Sequence, residues 1–189
     1  MQYKGVSSTK VKISKVALKL FLINGIRGTT TRTIANQAGI TEGAIYKHFN
    51  SKNQIAYELF SYYMEKFRDH LIEKSEYGKN PQERIDLLVS AFFDFAKTDT
   101  SGYNFIMLGH YTELKNLPSD FIKPKDIFVK YISQGMSSQY FRKTDLNLAA
   151  SMVIGLLTRV ILFHENKMIK LDYDNILEEV KSTVIKILK

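Results

Sequence analysis

The 189 residues predict an all-α protein, with an N-terminal three-helix head carrying a helix-turn-helix, continuous with a C-terminal helical body. Three observations lead there. Apolar residues recur at three- and four-residue spacing along nearly the whole chain, and no strict two-residue alternation persists. Pro is absent before Pro81, and only Pro118 and Pro124 follow, so helices run uninterrupted. Charge is divided unevenly. Residues 1–53 hold nine bases (Lys4, Lys10, Lys12, Lys15, Lys19, Arg27, Arg32, Lys47 and Lys52) against Glu42 alone. Eighteen bases and eighteen acids cancel over 54–189, so the net charge of +8 belongs to the head.

The elements follow in order. Ile13, Val16, Ala17, Leu20 and Phe21 form the apolar stripe of a first helix, with Lys12, Lys15 and Lys19 on other faces, and Asn24-Gly25 stops it. A second helix, about Thr31 to Ala38, follows a threonine cap and ends at Gly39, which suits a left-handed C-cap. Thr41 caps a third, short helix to about His48. Ser51-Lys52-Asn53-Gln54 reads as a capping box opening a long helix towards Glu76. Asn80-Pro81 starts the next, with Asn as cap and Pro at the first helical position. Helices are expected at about 82–98, 102–115, 124–140, 145–165 and 173–188. The motif boundary divides the chain into residues 1–53 and 54–189.

Composition excludes several classes. With 44% hydrophobic and 24% charged residues the chain is globular rather than disordered. No cysteine occurs, so disulfides, thiolate nucleophiles and cysteine metal sites are ruled out, and a reducing cytoplasm is the expected compartment. The longest nearly apolar stretch, Met152 to Phe163, is interrupted by Thr158 and Arg159 and is shorter than the ~20 residues of a membrane span, so no membrane partner is expected. The N-terminus has no apolar core of a secretion signal. His48, His70, His110 and His164 are scattered, and no zinc-protease, P-loop or dinucleotide fingerprint occurs. His110 and Glu113 could share a helix face, but two ligands do not make a zinc site. Neither catalysis nor a cofactor is expected.

A basic segment on a neutral body is the footprint of a polyanion binder, because Lys and Arg displace counterions condensed on phosphate. Charge alone leaves open a solvated basic face or an anionic membrane surface. The segment Ile34 to Tyr46 favours nucleic acid. Two short helices joined at Gly39 can pack Ile34, Ala38, Ile40, Ile45 and Phe49 inward. The third helix then turns Glu42, Gly43, Tyr46 and Lys47 outward, with Ala44 and His48 at the edge, as a recognition helix requires.

From Ile13 to Leu59 the sequence resembles the TetR family of bacterial transcriptional regulators. The resemblance is carried by Ile13-x-x-Val16-Ala17-x-x-Leu20-Phe21-x-x-x-Gly25 and Thr30-Thr31-x-x-Ile34-Ala35-x-x-Ala38-Gly39-Ile40-Thr41-x-Gly43-x-x-Tyr46-x-His48-Phe49-x-x-Lys52. It implies a homodimeric repressor of about nine helices with a ligand-responsive C-terminal body. It also implies phosphate contacts from Thr30, Thr31, Tyr46 and His48. The two threonines are equally helix caps, and both roles can hold at a helix N-terminus. Arg32 and Lys52 are expected on phosphate as well. Glu42, Gly43, Ala44 and Lys47, opened by the cap Thr41, are the base-proximal set. Lys47 can donate to guanine, and Ala44 can meet a thymine methyl. Glu42 can accept from cytosine N4, or simply complement the helix dipole.

In the body, Tyr63, Met64, Phe67, Phe92, Phe95, Phe105, Leu108 and Tyr111 form an apolar set at helical spacing. Core packing explains such a stripe, and the resemblance adds an effector pocket. Asp94 could pair with a cationic ligand, although Asp86, Ser90 and Asp94 follow the spacing of a polar outer stripe. Leu146 to Phe163 is apolar on nearly every side. Val153, Ile154, Leu157, Val160 and Ile161, with Val180, Val184 and Ile187, are therefore expected in a self-complementary dimer seam.

The expected function is a dimeric repressor on a palindromic operator, released by a small apolar or amphipathic molecule. An activator of the same family is one alternative. A polyanion or membrane-surface binder using the Lys10–Lys19 helix is another.

Overall fold

The computed structural model describes residues 7–109 and 116–189. Among them nine helices follow in order and no strand occurs: α1 Ser8–Gly28, α2 Thr31–Ala38, α3 Glu42–Tyr46, α4 Lys52–Ser75, α5 Pro81–Thr98, α6 Thr100–Gly109, α7 Pro124–Ser137, α8 Leu146–Glu165 and α9 Tyr173–Leu188. The all-helical expectation holds, and residues 110–115 of the helix expected at 102–115 lie outside the described residues.

Local chemistry fixes the boundaries. Gly25 adopts φ 71°, ψ 164°, which breaks α1 at the predicted stop before one further turn forms. Such a left-handed value is open to glycine because no Cβ meets the backbone. Gly39 ends α2 in the left-handed region at φ 60°, its N–H turning back to the Ala35 and Asn36 carbonyls. The α2 cap is reciprocal: Thr33 N–H donates to Thr30 Oγ1 at 3.1 Å, and Thr30 N–H donates to Thr33 Oγ1 at 3.0 Å. Thr41 Oγ1 accepts from Ala44 N–H at 3.2 Å. The helix it opens is shorter than predicted, ending at Tyr46, with the N–H groups of His48 and Phe49 both closing onto the Ile45 carbonyl. The predicted caps of α4 and α5 form as well, through Ser51 Oγ to Gln54 N–H at 3.1 Å and Asn80 Oδ1 to Glu83 N–H at 2.9 Å.

The chain forms two compact units. One joins the described residues up to Met64 with those from Thr100 to Phe121. Its core holds Ile13, Ala17, Phe21, Ile34, Ala38, Ile45, Phe49, Leu59 and Phe105, all buried. Phe21 and Phe105 stack with ring centroids 6.0 Å apart, which fastens α1 to α6.

The other unit holds Glu65–Asp99 and Ile122–Lys189, with α5 packed on α7, α8 and α9. Phe67, Phe92, Phe95 and Phe128 form its aromatic centre: Phe67 lies 5.0 Å from Phe92 and 4.6 Å from Phe95, and Phe92 lies 6.1 Å from Phe128. Tyr173, at the start of α9, donates its hydroxyl to the Phe93 carbonyl. Burial, with Asp94 and Glu165 nearby, pushes that phenol well above the usual tyrosine range, so it stays a donor. Asp94 itself is exposed, with an oxygen 3.2 Å from His70 Nε2, which agrees with the outer-stripe reading.

One expectation about α8 needs correction. Its 20 residues are long and apolar enough to cross a membrane by length and composition, so the argument from a short apolar stretch fails. Pattern is more informative: Ala149, Ala150, Val153, Leu157 and Ile161 are buried against the unit, while Ser151, Gly155 and Arg159 are exposed. The residues expected in a dimer seam differ in burial. Val153, Leu157, Ile161, Val180 and Val184 are buried within the chain itself, where α8 and α9 pack together, and Ile154, Val160 and Ile187 are half-buried. The open apolar positions of α8 are instead Leu148, Leu162 and Phe163.

The aromatic centre gives a direct stability test. Phe67→Ala removes the ring that meets both Phe92 and Phe95, and urea unfolding should register a loss of about 3–5 kcal/mol.

Candidate nucleic-acid interface

The candidate site lies on the unit built from α1, α2, α3, α6 and the first part of α4. An isolated five-residue helix has no stability of its own, so α3 is held by its surroundings. Ile45 is fully buried beneath it, Phe49 closes its end, and the Gly39 turn sets its start. The face left open carries Gly43, Tyr46 and Lys47, with Tyr46 52% exposed, while Ala44 and His48 sit half-buried at the edge. The outward set predicted from spacing is thus presented, with one exception.

The exception is Glu42. Its half-buried carboxylate accepts the hydroxyl of Thr31, linking the first turn of α3 to the first turn of α2. Thr31 therefore directs its hydroxyl inward. Thr30 and Thr33 share the capping bonds, which leaves the backbone N–H groups of Thr31 and Arg32 at the open first turn of α2. Arg32 and Thr41 are exposed.

Lys52 also departs from expectation. Its ammonium donates to the Thr29 carbonyl at 2.6 Å and reaches the Arg27 carbonyl at 3.4 Å, so it neutralises the C-terminal end of α1. Thr29, which spacing did not single out, is buried and donates its hydroxyl to the Gly25 carbonyl at 2.9 Å. A threonine four residues after a helix-stopping glycine is the signal that could have found it.

Electrostatics sharpen the face. Glu42 and Glu58 are the acids between Ser7 and Met64. Glu58 pairs with Lys10 at 2.7 Å, and that ammonium also lies 4.8 Å from the centre of the Phe49 ring. Lys10 is thus structural, while Lys12, Lys15, Lys19, Arg27, Arg32 and Lys47 remain exposed. Both acids are occupied internally and most bases point to solvent, as a phosphate-binding surface requires.

The body residues expected at an effector site divide between the units. Tyr63, Met64 and Phe105 are buried in the first, where Leu108 is 45% exposed, and Phe67, Phe92 and Phe95 are buried in the second. Tyr111 lies outside the described residues.

A capped helix-turn-helix whose third helix is open and ends at the C-cap Lys47 is the layout of a DNA-binding regulator. The family model for bacterial regulatory proteins of the tetR family matches residues 13–59. An uncharacterized HTH-type transcriptional regulator, YerO of Bacillus subtilis, is 33% identical over 93 residues, 47% of this chain but only 32% of that relative. The HTH-type transcriptional repressor KstR2 of Mycobacterium tuberculosis is 27% identical over 150 residues, covering 72% of this chain and 71% of the relative. In structure, the fatty acid degradation regulator FadR of Bacillus halodurans superposes with a TM-score of 0.73 at 22% identity, covering 96% and 97% of the two chains. Residues 13–59 are thus similar to the N-terminal helix-turn-helix region of the tetR family of bacterial regulatory proteins.

Gly43 offers a test that separates fold from interface. A Cβ there would meet nothing of the chain closer than Thr41 Oγ1 at 3.9 Å, so the interior does not demand glycine. Gly43→Ala should leave the unfolding free energy unchanged or raise it by up to about 1 kcal/mol, the difference in helix propensity, read by urea unfolding. The same variant should bind DNA more weakly, because the methyl group stands between α3 and the groove.

Proposed function

We propose that the protein is a homodimeric, effector-responsive repressor that binds a palindromic operator. The observation that carries this reading is the open α3 face of Gly43, Tyr46 and Lys47, flanked by Arg32 and the free N–H groups at the start of α2. Two such helices related by a two-fold axis enter successive major grooves. Lys47 donates to guanine O6 or N7, and Ala44 meets a thymine methyl. The α2 N–H groups, Thr30, Arg32, Tyr46 and His48 take phosphate. Lys52 supports the frame, and any phosphate it reaches adds to its bonds with α1.

The dimer forms across the open face of α8. Leu148, Leu162 and Phe163 supply apolar surface, and Gly155, whose absent Cβ faces nothing within 4 Å, admits close approach. A two-fold contact suits this face better than lipid, because Arg159 stands exposed within it. The effector is a small apolar or amphipathic molecule taken up by the helical body. By linkage it weakens operator binding as much as the operator weakens its own. The protein works in the cytoplasm as a regulator rather than an enzyme.

Selection of operator from random duplex DNA, followed by footprinting, tests the reading. A two-fold symmetric protected site is expected, and Lys47→Ala should weaken it about tenfold or more. Asymmetric protection, or no effect of that substitution, would contradict it. Leu162→Asp should convert dimer to monomer in sedimentation equilibrium and abolish tight operator binding. Deleting the gene should raise expression from a reporter carrying the selected site.

A further inference from the structure

We propose that Glu42 is a positioning residue and not a base-reading one: by accepting the Thr31 hydroxyl it fixes the angle at which α3 is offered to DNA, and leaves base discrimination to Lys47. This deepens the operator-binding reading and rests on it.

Several observations converge on this role. A hydroxyl has one proton, and that of Thr31 is given to Glu42, so it is not available to a phosphate oxygen. Contact between Thr31 and phosphate falls instead to its backbone N–H, at the open first turn of α2. The Glu42 carboxylate lies in the first turn of α3 and bonds into the first turn of α2, where both dipoles favour negative charge. It is half-buried, whereas Gly43, Tyr46 and Lys47 are exposed. Among residues 1–53 it is the single acid. A free carboxylate presented to a duplex would repel phosphates on both sides of the groove, and the bond to Thr31 turns it inward. The other bonds that shape α3 are local, running from Thr41 to Ala44 and from Ile45 to His48 and Phe49. The Thr31–Glu42 bond is of another kind, reaching eleven residues back along the chain to α2.

The alternative chemistry is direct readout, in which the carboxylate accepts from cytosine N4. The two are separable with the full-length protein and a randomised duplex library. Wild type, Glu42→Gln, Glu42→Ala, Thr31→Val and the Thr31→Val/Glu42→Ala double variant are each taken through selection, and affinity for the wild-type sequence is measured. Thr31→Val and Glu42→Ala should each weaken binding about tenfold, the loss of one charge-assisted hydrogen bond. The double variant should be no weaker than either single one, because both remove the same bond. Glu42→Gln keeps an oxygen that accepts the Thr31 hydroxyl and should stay within about threefold of wild type. The preferred bases should be the same for all five proteins.

A base preference that moves at one operator position in Glu42→Gln or Glu42→Ala, but not in Thr31→Val, would overturn the proposal in favour of readout. Additive losses, or undiminished binding by Glu42→Ala, would also overturn it. Should Glu42→Ala fail to fold, Glu42→Gln and Thr31→Val still decide the matter through base preference. Wild type that selects no symmetric sequence would remove the operator reading, and this proposal with it.

Discussion

A helix of five residues cannot hold itself together in water, and the rest of the head answers that constraint. The nucleation of α3 is supplied from outside: Thr41 caps it, Gly39 turns the chain into it, and Ile45 anchors it in the core. Behind it, α1 is broken at Gly25, and the carbonyls around that break are taken by Thr29 and Lys52. The N-terminus of α4 thereby braces the C-terminal end of α1. The result is a short, rigid element with one open face.

Charge follows the same logic. Both acids between Ser7 and Met64 are engaged inside the unit, Glu42 by Thr31 and Glu58 by Lys10. What remains on the surface among residues 7–64 is almost wholly basic, the charge pattern that would draw a polyanion at long range. Glu42 is an acid in a basic head, with its carboxylate turned to the Thr31 hydroxyl.

Much of this was legible in the sequence, because helix ends are written in local residues. The Thr30 and Thr41 caps, the Gly39 turn, the Ser51 and Asn80 starts and the stop at Gly25 are all readable within four positions of one another. The Glu42–Thr31 and Lys52–Thr29 bonds were not, since they depend on the crossing angles of helices eleven to twenty-three residues apart in sequence. Spacing placed Glu42 on the outer face of α3 and left two roles for it, and gave no sign of the partner that α2 supplies in Thr31. Which apolar residues of α8 the chain itself covers was not legible either, for a different reason. Val153 and Leu162 are equally apolar, and hydrophobicity does not record which of them the chain covers with its own α9 and which it leaves open. The length argument against a membrane span failed likewise, because it measured an uninterrupted apolar run where the relevant quantity is a whole helix.

The central claim is that α3 lies in the major groove, once per subunit. The absence of native cysteine makes it directly measurable: Asn50→Cys, at an exposed position just past α3, can be labelled in the full chain at that one position with an iron-chelate cleavage reagent. On a selected operator, the account predicts two clusters of strand cleavage related by a two-fold axis, about 10 base pairs apart or a whole number of turns beyond that. Cleavage spread evenly along the duplex, or a single cluster without its symmetric mate, would contradict it.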